Sequence, residues 1–267
     1  TILNTISLPA LEKTSILSEN LSSQQIEALL AYYSTRSSQI PAIKKQLSDL
    51  DNTFKQDLSS LNNLVSKQTQ LSAPLAALNK SYTLYGSNAT KMLLERLSAL
   101  TLQEQLLKMR SNLENAADDS SSILLDIIDL ETSEDETERS LAATASVIDS
   151  TFINIITTIY DLVATTEQSK YDLIIKELDY MVSEASTKLD FINTKGNGVV
   201  NSSTLEDLTA ESAKVFTLLK GNDSIIALKQ QQLSHEFAAA KQLVETQSSA
   251  KDVNKKMIVL AKSIDTF

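Results

Sequence analysis

Between Leu141 and Leu162 the residues Leu141, Ala145, Ile148, Phe152, Ile155, Ile159 and Leu162 recur in alternating steps of four and three without a break. Tyr171, Ile175, Leu178, Val182, Ala185, Leu189 and Ile192 repeat the pattern in the next segment. A spacing of about 3.5 residues keeps one stripe of a slightly under-wound helix facing its neighbours, which is the geometry of left-handed coiled-coil packing. A strand, whose side chains alternate between two faces, cannot gather such a set on one side.

Shorter runs carry the same seam. Leu47, Leu50, Phe54, Leu61 and Val65 keep it if Asp57 or Leu58 fills one step, and Leu102, Leu106, Met109, Leu113 and Ala116 keep it throughout, as do Leu205, Leu208, Ser212, Val215 and Leu219. The last stretch reads Leu233, Phe237, Ala240, Val244, slips, and resumes as Ala250, Val253, Met257, Leu260, Ile264. A slip turns the apolar stripe and marks a change of neighbours. With four glycines and three prolines in 267 residues, the chain has little material for turns. There is no tryptophan, so the core is expected from Leu, Ile, Val and Ala.

Local signals place the ends. Pro9, Pro41 and Pro74 each precede a periodic run, where proline's missing N–H costs nothing. Ser133 with Glu136, and Ser203 with Glu206, have capping-box spacing, and Lys195-Gly196-Asn197-Gly198 is the clearest turn. The acidic run from Glu131 to Glu138 reads as a solvated helix start, since acids there oppose the helix dipole favourably. Helices are expected over 9–37, 42–71, 75–116, 121–130, 134–168, 169–193, 203–220 and 222–265. No fixed-period repeat supports a solenoid. Short connections make successive helices antiparallel, and the fold expected is all-α: two nested, stacked antiparallel four-helix bundles of long coiled-coil-like helices. One bundle comprises residues 1–105 completed by 221–267, the other residues 106–220.

Composition excludes several functions. A formal charge of −10 opposes binding to nucleic acid or anionic lipid. Without cysteine there are no disulfides, thiolate zinc sites or thiol catalysis. His235 is the sole histidine and Gln232 stands three residues before it, so the Glu-x-x-His pairs of a di-iron bundle cannot be built. Neither metal nor cofactor is expected. Asp118-Asp119 and Asp126 with Asp129 are carboxylate pairs of the kind that 34 acids on helical surfaces produce by composition. Gly196 and Gly198 lack the third glycine and following lysine of a phosphate loop, and no catalytic residue emerges. Tyr32, Tyr33, Tyr82 and Tyr85 suit packing between helices. Gly86 and Gly221 are the hinge candidates, where chain passes between bundles. No apolar run approaches the roughly 18 residues of a membrane span. The start at Thr1 suggests an excised fragment whose flanks carry any spans.

The opening Ile6-Ser7-Leu8-Pro9-Ala10-Leu11-Glu12, with Leu17, Leu21 and Ile26-Glu27-Ala28-Leu29, resembles the start of helical periplasmic sensor regions in hybrid histidine kinases. Leu47-Ser48-Asp49-Leu50, Leu58, Leu61, Leu75, Leu78-Asn79 and Glu95-Arg96-Leu97 extend the resemblance over roughly the first 110 residues, closest to the TorS type that responds to trimethylamine N-oxide. The resemblance implies a non-catalytic, extracytoplasmic sensor, anchored through flanking spans and acting as a homodimer. It also implies that a TorT-like periplasmic binding protein, not the sensor, holds the small molecule. The expected partner-facing tips are Asp118, Asp119 and the turn with Lys195, Asn197, Val199 and Val200. A chemoreceptor-type ectodomain that binds its ligand directly, and a helical tether or toxin bundle, fit the same composition.

Overall fold

The computed structural model describes residues 2–266, apart from the side chain of Asn4. It is all-α, with seven long helices among the described residues: α1 Leu8–Tyr32, α2 Ile40–Leu64, α3 Ser72–Ile128, α4 Glu136–Ala164, α5 Gln168–Lys195, α6 Ser202–Leu219 and α7 Ile225–Asp265. A π-helical turn, Leu3–Ser7, leads into α1, and Pro9, Pro41 and Pro74 all fall in first turns.

The chain forms two compact units: Thr1–Thr101 with Ser234–Phe267, and Leu102–Leu233. The crossing points are thus four residues earlier on α3, and thirteen later on the return, than expected from the boundaries 105 and 221. The later return follows from packing, because Ile225, Leu228 and Leu233 at the start of α7 are buried with the second core.

The first unit shares one core among α1, α2, the beginning of α3 and the end of α7, through residues such as Leu17, Phe54, Leu78 and Leu260. Phe54 stacks on Tyr82 with ring centroids 3.7 Å apart. A polar chain ties three helices together here: Asn20 Nδ2 donates to the Leu50 carbonyl at 3.0 Å, Gln24 Nε2 donates to Asn20 Oδ1 and to the Tyr82 hydroxyl, and that hydroxyl donates to Asp51 Oδ1 at 2.6 Å. Buried polar groups need such partners, and satisfying all of them selects one helix register. Tyr85 differs, since its fully buried hydroxyl has no hydrogen-bond partner. Tyr85→Phe is therefore expected to raise unfolding free energy by about 1 kcal/mol in urea melts, by removing an unsatisfied buried polar atom. A loss of stability would reveal a partner for the hydroxyl.

In the second unit all seven α4 seam residues, Leu141 to Leu162, are buried. The α5 seam is buried too, except half-buried Ile175. They meet Leu106, Leu113, Leu124 and Ile127 of α3 and Leu208, Val215 and Leu219 of α6. By length and composition α4 is the one helix among the described residues able to cross a membrane, with a window of mean hydropathy 1.4, which corrects the expectation of no such run. Its apolar stripe is buried in this core, so the helix is accounted for by packing.

Several sequence readings are corrected. The expected helices 75–116 and 121–130 are one 57-residue helix. Ala116 and Ala117 are buried, buried Ser120 donates to the Ala116 carbonyl at 2.9 Å, and the intervening polar residues lie on the outer face. The first helix ends at Tyr32, not 37, because Arg36 is extended, and Gln39 Oε1 accepts from the Thr35 and Arg36 amides. The second ends at Leu64, followed by a 3-10 turn at Thr69–Leu71. Neither expected Ser–Glu capping box forms. Asp135 caps α4 by accepting from the Thr137 and Glu138 amides, and Asn201 caps α6 by accepting from the Ser203 amide. On α7 the stripe Phe237, Ala240, Val244 is not the buried one. Ala239, Leu243 and Thr246 point inward, and Phe237 and Val244 face solvent. Past the slip, Ala250, Val253, Met257, Leu260 and Ile264 are buried as the spacing implies.

Candidate functional site: the α6 face and the α5–α6 turn

In the second unit α5 ends where the Gly196 amide donates to the Ile192 carbonyl at 2.7 Å. The Val199 and Val200 amides then both reach back to the Gly196 carbonyl, closing a tight loop. Gly198 adopts φ +83°, a conformation that side chains disfavour, so a residue with a Cβ would strain the turn. A Cβ at Gly196 would lie 2.4 Å from the Ile192 carbonyl oxygen, which makes that glycine equally necessary. The result is a tight tip from which Lys195, Asn197 and Val199 project into solvent, while Val200 packs against the core.

Asp118 and Asp119 are both exposed, but they lie within α3, ten or so residues short of its end at Ile128, and not at a tip. Asp119 lines an open groove of about 530 Å³ with Asn112, Asn115 and Ala116 of α3, facing Ala210, Ala213 and Lys214 of α6. A second open groove, of about 460 Å³, runs between Asn193 at the end of α5 and Ser202, Leu205, Glu206, Thr209 and Ala210 of α6. The grooves share Ala210, where a small side chain lowers the α6 surface. Lys214 pairs with Glu211 at 2.9 Å, and that bond, with the charges of Glu211 and then Asp119, pushes its ammonium pKa upward. The structure thus brings Asp119 to α6 and leaves the Lys195–Val200 tip at the α6 N-terminus. Open grooves flanked by small and polar side chains offer shape and hydrogen bonds to a macromolecule and no enclosure for a reaction.

His235, Tyr82 and Tyr85 are built into packing. His235 Nδ1 lies 2.5 Å from Glu95 Oε2, Tyr82 and Tyr85 are buried, and Tyr33 is exposed. No group of three or more metal-ligating side chains occurs among the described residues. Gly86 lies inside α3 within the first unit, and Gly221 holds φ +102° in the α6–α7 turn within the second, so neither stands where the chain passes between the units, contrary to expectation. Two structural residues escaped the sequence reading. Arg96 bridges the Glu236 carboxylate at 2.7 Å and the Ser34 carbonyl at 2.8 Å, and Lys229, almost wholly buried, donates from Nζ to the Val163 carbonyl near the end of α4. A cation suits that helix end, but a lysine in a sequence reads as surface.

No family model and no curated protein matches the chain. Among solved structures, it is similar to the crystal structure of the Vibrio parahaemolyticus histidine kinase sensor TorS sensor domain, with TM-score 0.64 at 10% identity over 96% of this chain and 99% of that one. It is similar also to the TorS sensor domain in a complex with TorT in the presence of trimethylamine N-oxide, with TM-score 0.61 at 11% identity and the same coverage. At such identity the likeness speaks for backbone architecture, and over nearly its whole length this chain has the fold of the TorS sensor domain.

Proposed function

We propose that the chain is the non-catalytic extracytoplasmic sensor region of a two-component hybrid histidine kinase. In this reading it lies in the periplasm between membrane spans, acts as a homodimer and detects a TorT-like periplasmic binding protein. The supporting observation is correspondence over almost the full length of both chains with a sensor domain that is also known in a TorT complex. The docking surface is the α6 face with the α5–α6 turn: Asp118 and Asp119 on one side, Lys195, Asn197, Val199 and Val200 at the tip. Binding that favours one arrangement of the helices shifts their population and relays ligand state across the membrane, with Gly86 and Gly221 as points of give.

Titration calorimetry with a TorT-like binding protein tests this. Wild type is expected to bind, and Lys195→Glu with Val199→Asp to weaken binding by about tenfold or more, equivalent to about 1.4 kcal/mol, with melting unchanged. Trimethylamine N-oxide titrated into this chain alone is expected to give no heat. Binding of the small molecule without the partner would instead make the chain a direct sensor.

A further inference from the structure

The acids of this chain avoid one end of the first unit. Asp and Glu number 34, yet none occurs before Glu12, between Asp57 and Glu95, or between Asp252 and Asp265. These segments are the start of α1, the end of α2 with the beginning of α3, and the end of α7, distant in sequence and together in space. Lys13 pairs with Asp57 across α1 and α2, Tyr82 donates to Asp51 across α2 and α3, and Ser81 donates to Asp252 across α3 and α7. Beyond those ties Ala10, Leu61, Leu260 and Ile264 share one core, and the α2–α3 turn buries Val65 and Leu71 in it. Lysine is not excluded there. Lys67 is exposed in the turn and Lys262 near the end of α7, and neither takes part in an ion pair among the described residues. Around Lys67 the exposed side chains Asn63, Ser66, Thr69 and Gln70 are neutral hydrogen-bonding groups. Asp57, the nearest acid on α2, stands two turns before the helix ends at Leu64, about 10 Å away and about one Debye length at 0.1 M salt. Apart from Asp265, the acids behind the net charge of −10 lie away from this end.

We infer that the α2–α3 turn is a lipid-contacting surface, with Lys67 and then Lys262 taking the phosphates of anionic phospholipid headgroups. The inference rests on the reading above that membrane spans flank the chain, which sets this end against the bilayer. On that reading α1 and α7 are held at the membrane by the chain on either side of them. The α2–α3 turn has no such tie and meets the surface only through its own side chains. An anionic leaflet attracts lysines and repels acids, so a face apposed to it keeps the first and lacks the second. The amides and hydroxyls beside Lys67 can donate to phosphate oxygens. An acidic protein would be drawn by the same lysines, but a protein docked on one side gives no reason for acids to be absent from every helix around the end. A contact at the turn adds a support beside α1 and α7, and it makes the tilt of this bundle on the membrane depend on lipid charge.

Sedimentation at low salt with vesicles of phosphatidylcholine alone, or with an equal part of phosphatidylglycerol, tests the contact. The chain is expected to sediment with the mixed vesicles and not with phosphatidylcholine. Lys67→Glu with Lys262→Glu is expected to weaken that association by about tenfold or more. Lys170→Glu with Lys176→Glu, the same change of charge at exposed positions of α5, is expected to leave it unchanged. Because the chain has no cysteine, an environment-sensitive dye can be placed by Ser66→Cys in the turn or by Thr35→Cys beyond the other end of α2. The dye at Ser66 is expected to shift to the blue on the anionic vesicles, and the dye at Thr35 to stay as it was. Association with neither vesicle, with both alike, or with equal loss from the two pairs of substitutions overturns the contact, as does a shift at Thr35 and not at Ser66. A chain that ignores vesicles yet binds a TorT-like protein leaves the sensor reading standing without this surface. A chain that sediments with anionic vesicles and does not bind that protein keeps the surface and removes the partner.

Discussion

Phe152→Ala is expected to lower unfolding free energy by about 3–5 kcal/mol, the range for emptying a fully packed aromatic site. Phe152 is buried in the middle of the α4 seam and meets Phe216 of α6 edge to face, with centroids 6.1 Å apart. Truncation removes its apolar burial, that ring contact and the support beneath α6, the helix between the two grooves. Phe152→Leu keeps most of the volume and is expected to lose roughly 1 kcal/mol. Urea unfolding followed by circular dichroism reads both. An alanine variant within 1 kcal/mol of wild type would show that α6 does not rest on α4 through this residue.

Raising the pH above 10 is expected to destabilise the first unit steeply. Burial raises the Tyr82 pKa well above the ordinary phenol value, and the hydrogen bond it donates to Asp51 raises it further, against a smaller opposing effect of Gln24. Burial alone raises that of Tyr85. A group whose folded pKa lies above its unfolded one contributes stability fully below the unfolded value, about 10, and loses it as pH climbs toward the folded value. Each phenol then removes up to about 1.4 kcal/mol per pH unit, so the pair removes roughly 5 kcal/mol between pH 10 and 12. Denaturant melts at intervals across that range measure the slope, which Tyr85→Phe is expected to halve. Stability that stays level to pH 12 would place both hydroxyls in contact with water.

Helix content was legible because it depends on residues close in sequence. The α4 seam and most of the α5 seam could be read directly, since a stripe that long has one way to be buried. Where two stripes competed on one helix, as on α7, spacing alone chose the wrong one: Phe237 and Val244 are as apolar as Leu243 and obey the same period. Asp118-Asp119 looked like a boundary because two acids interrupt the pattern, whereas Ala116, Ala117 and Ser120 carry the helix through on its inner face. Of the docking residues, the Gly196–Gly198 turn announced itself by composition. The α6 grooves did not, because Asn115, Ala210 and Lys214 become neighbours only when α3 and α6 pack.

Sequence by itself determined that this chain is helical, where most helices begin and which faces of α4 and most of α5 are buried, since these follow from local hydrogen bonding and a repeat of apolar side chains. Tertiary structure decided which face of α7 is core and which is left outward, that Arg96 holds α1 level with α7, and that Lys229 is buried at the end of α4. Those outcomes depend on residues brought together from distant parts of the chain, where the free energy of a position is set by the neighbour it meets and not by its own pattern.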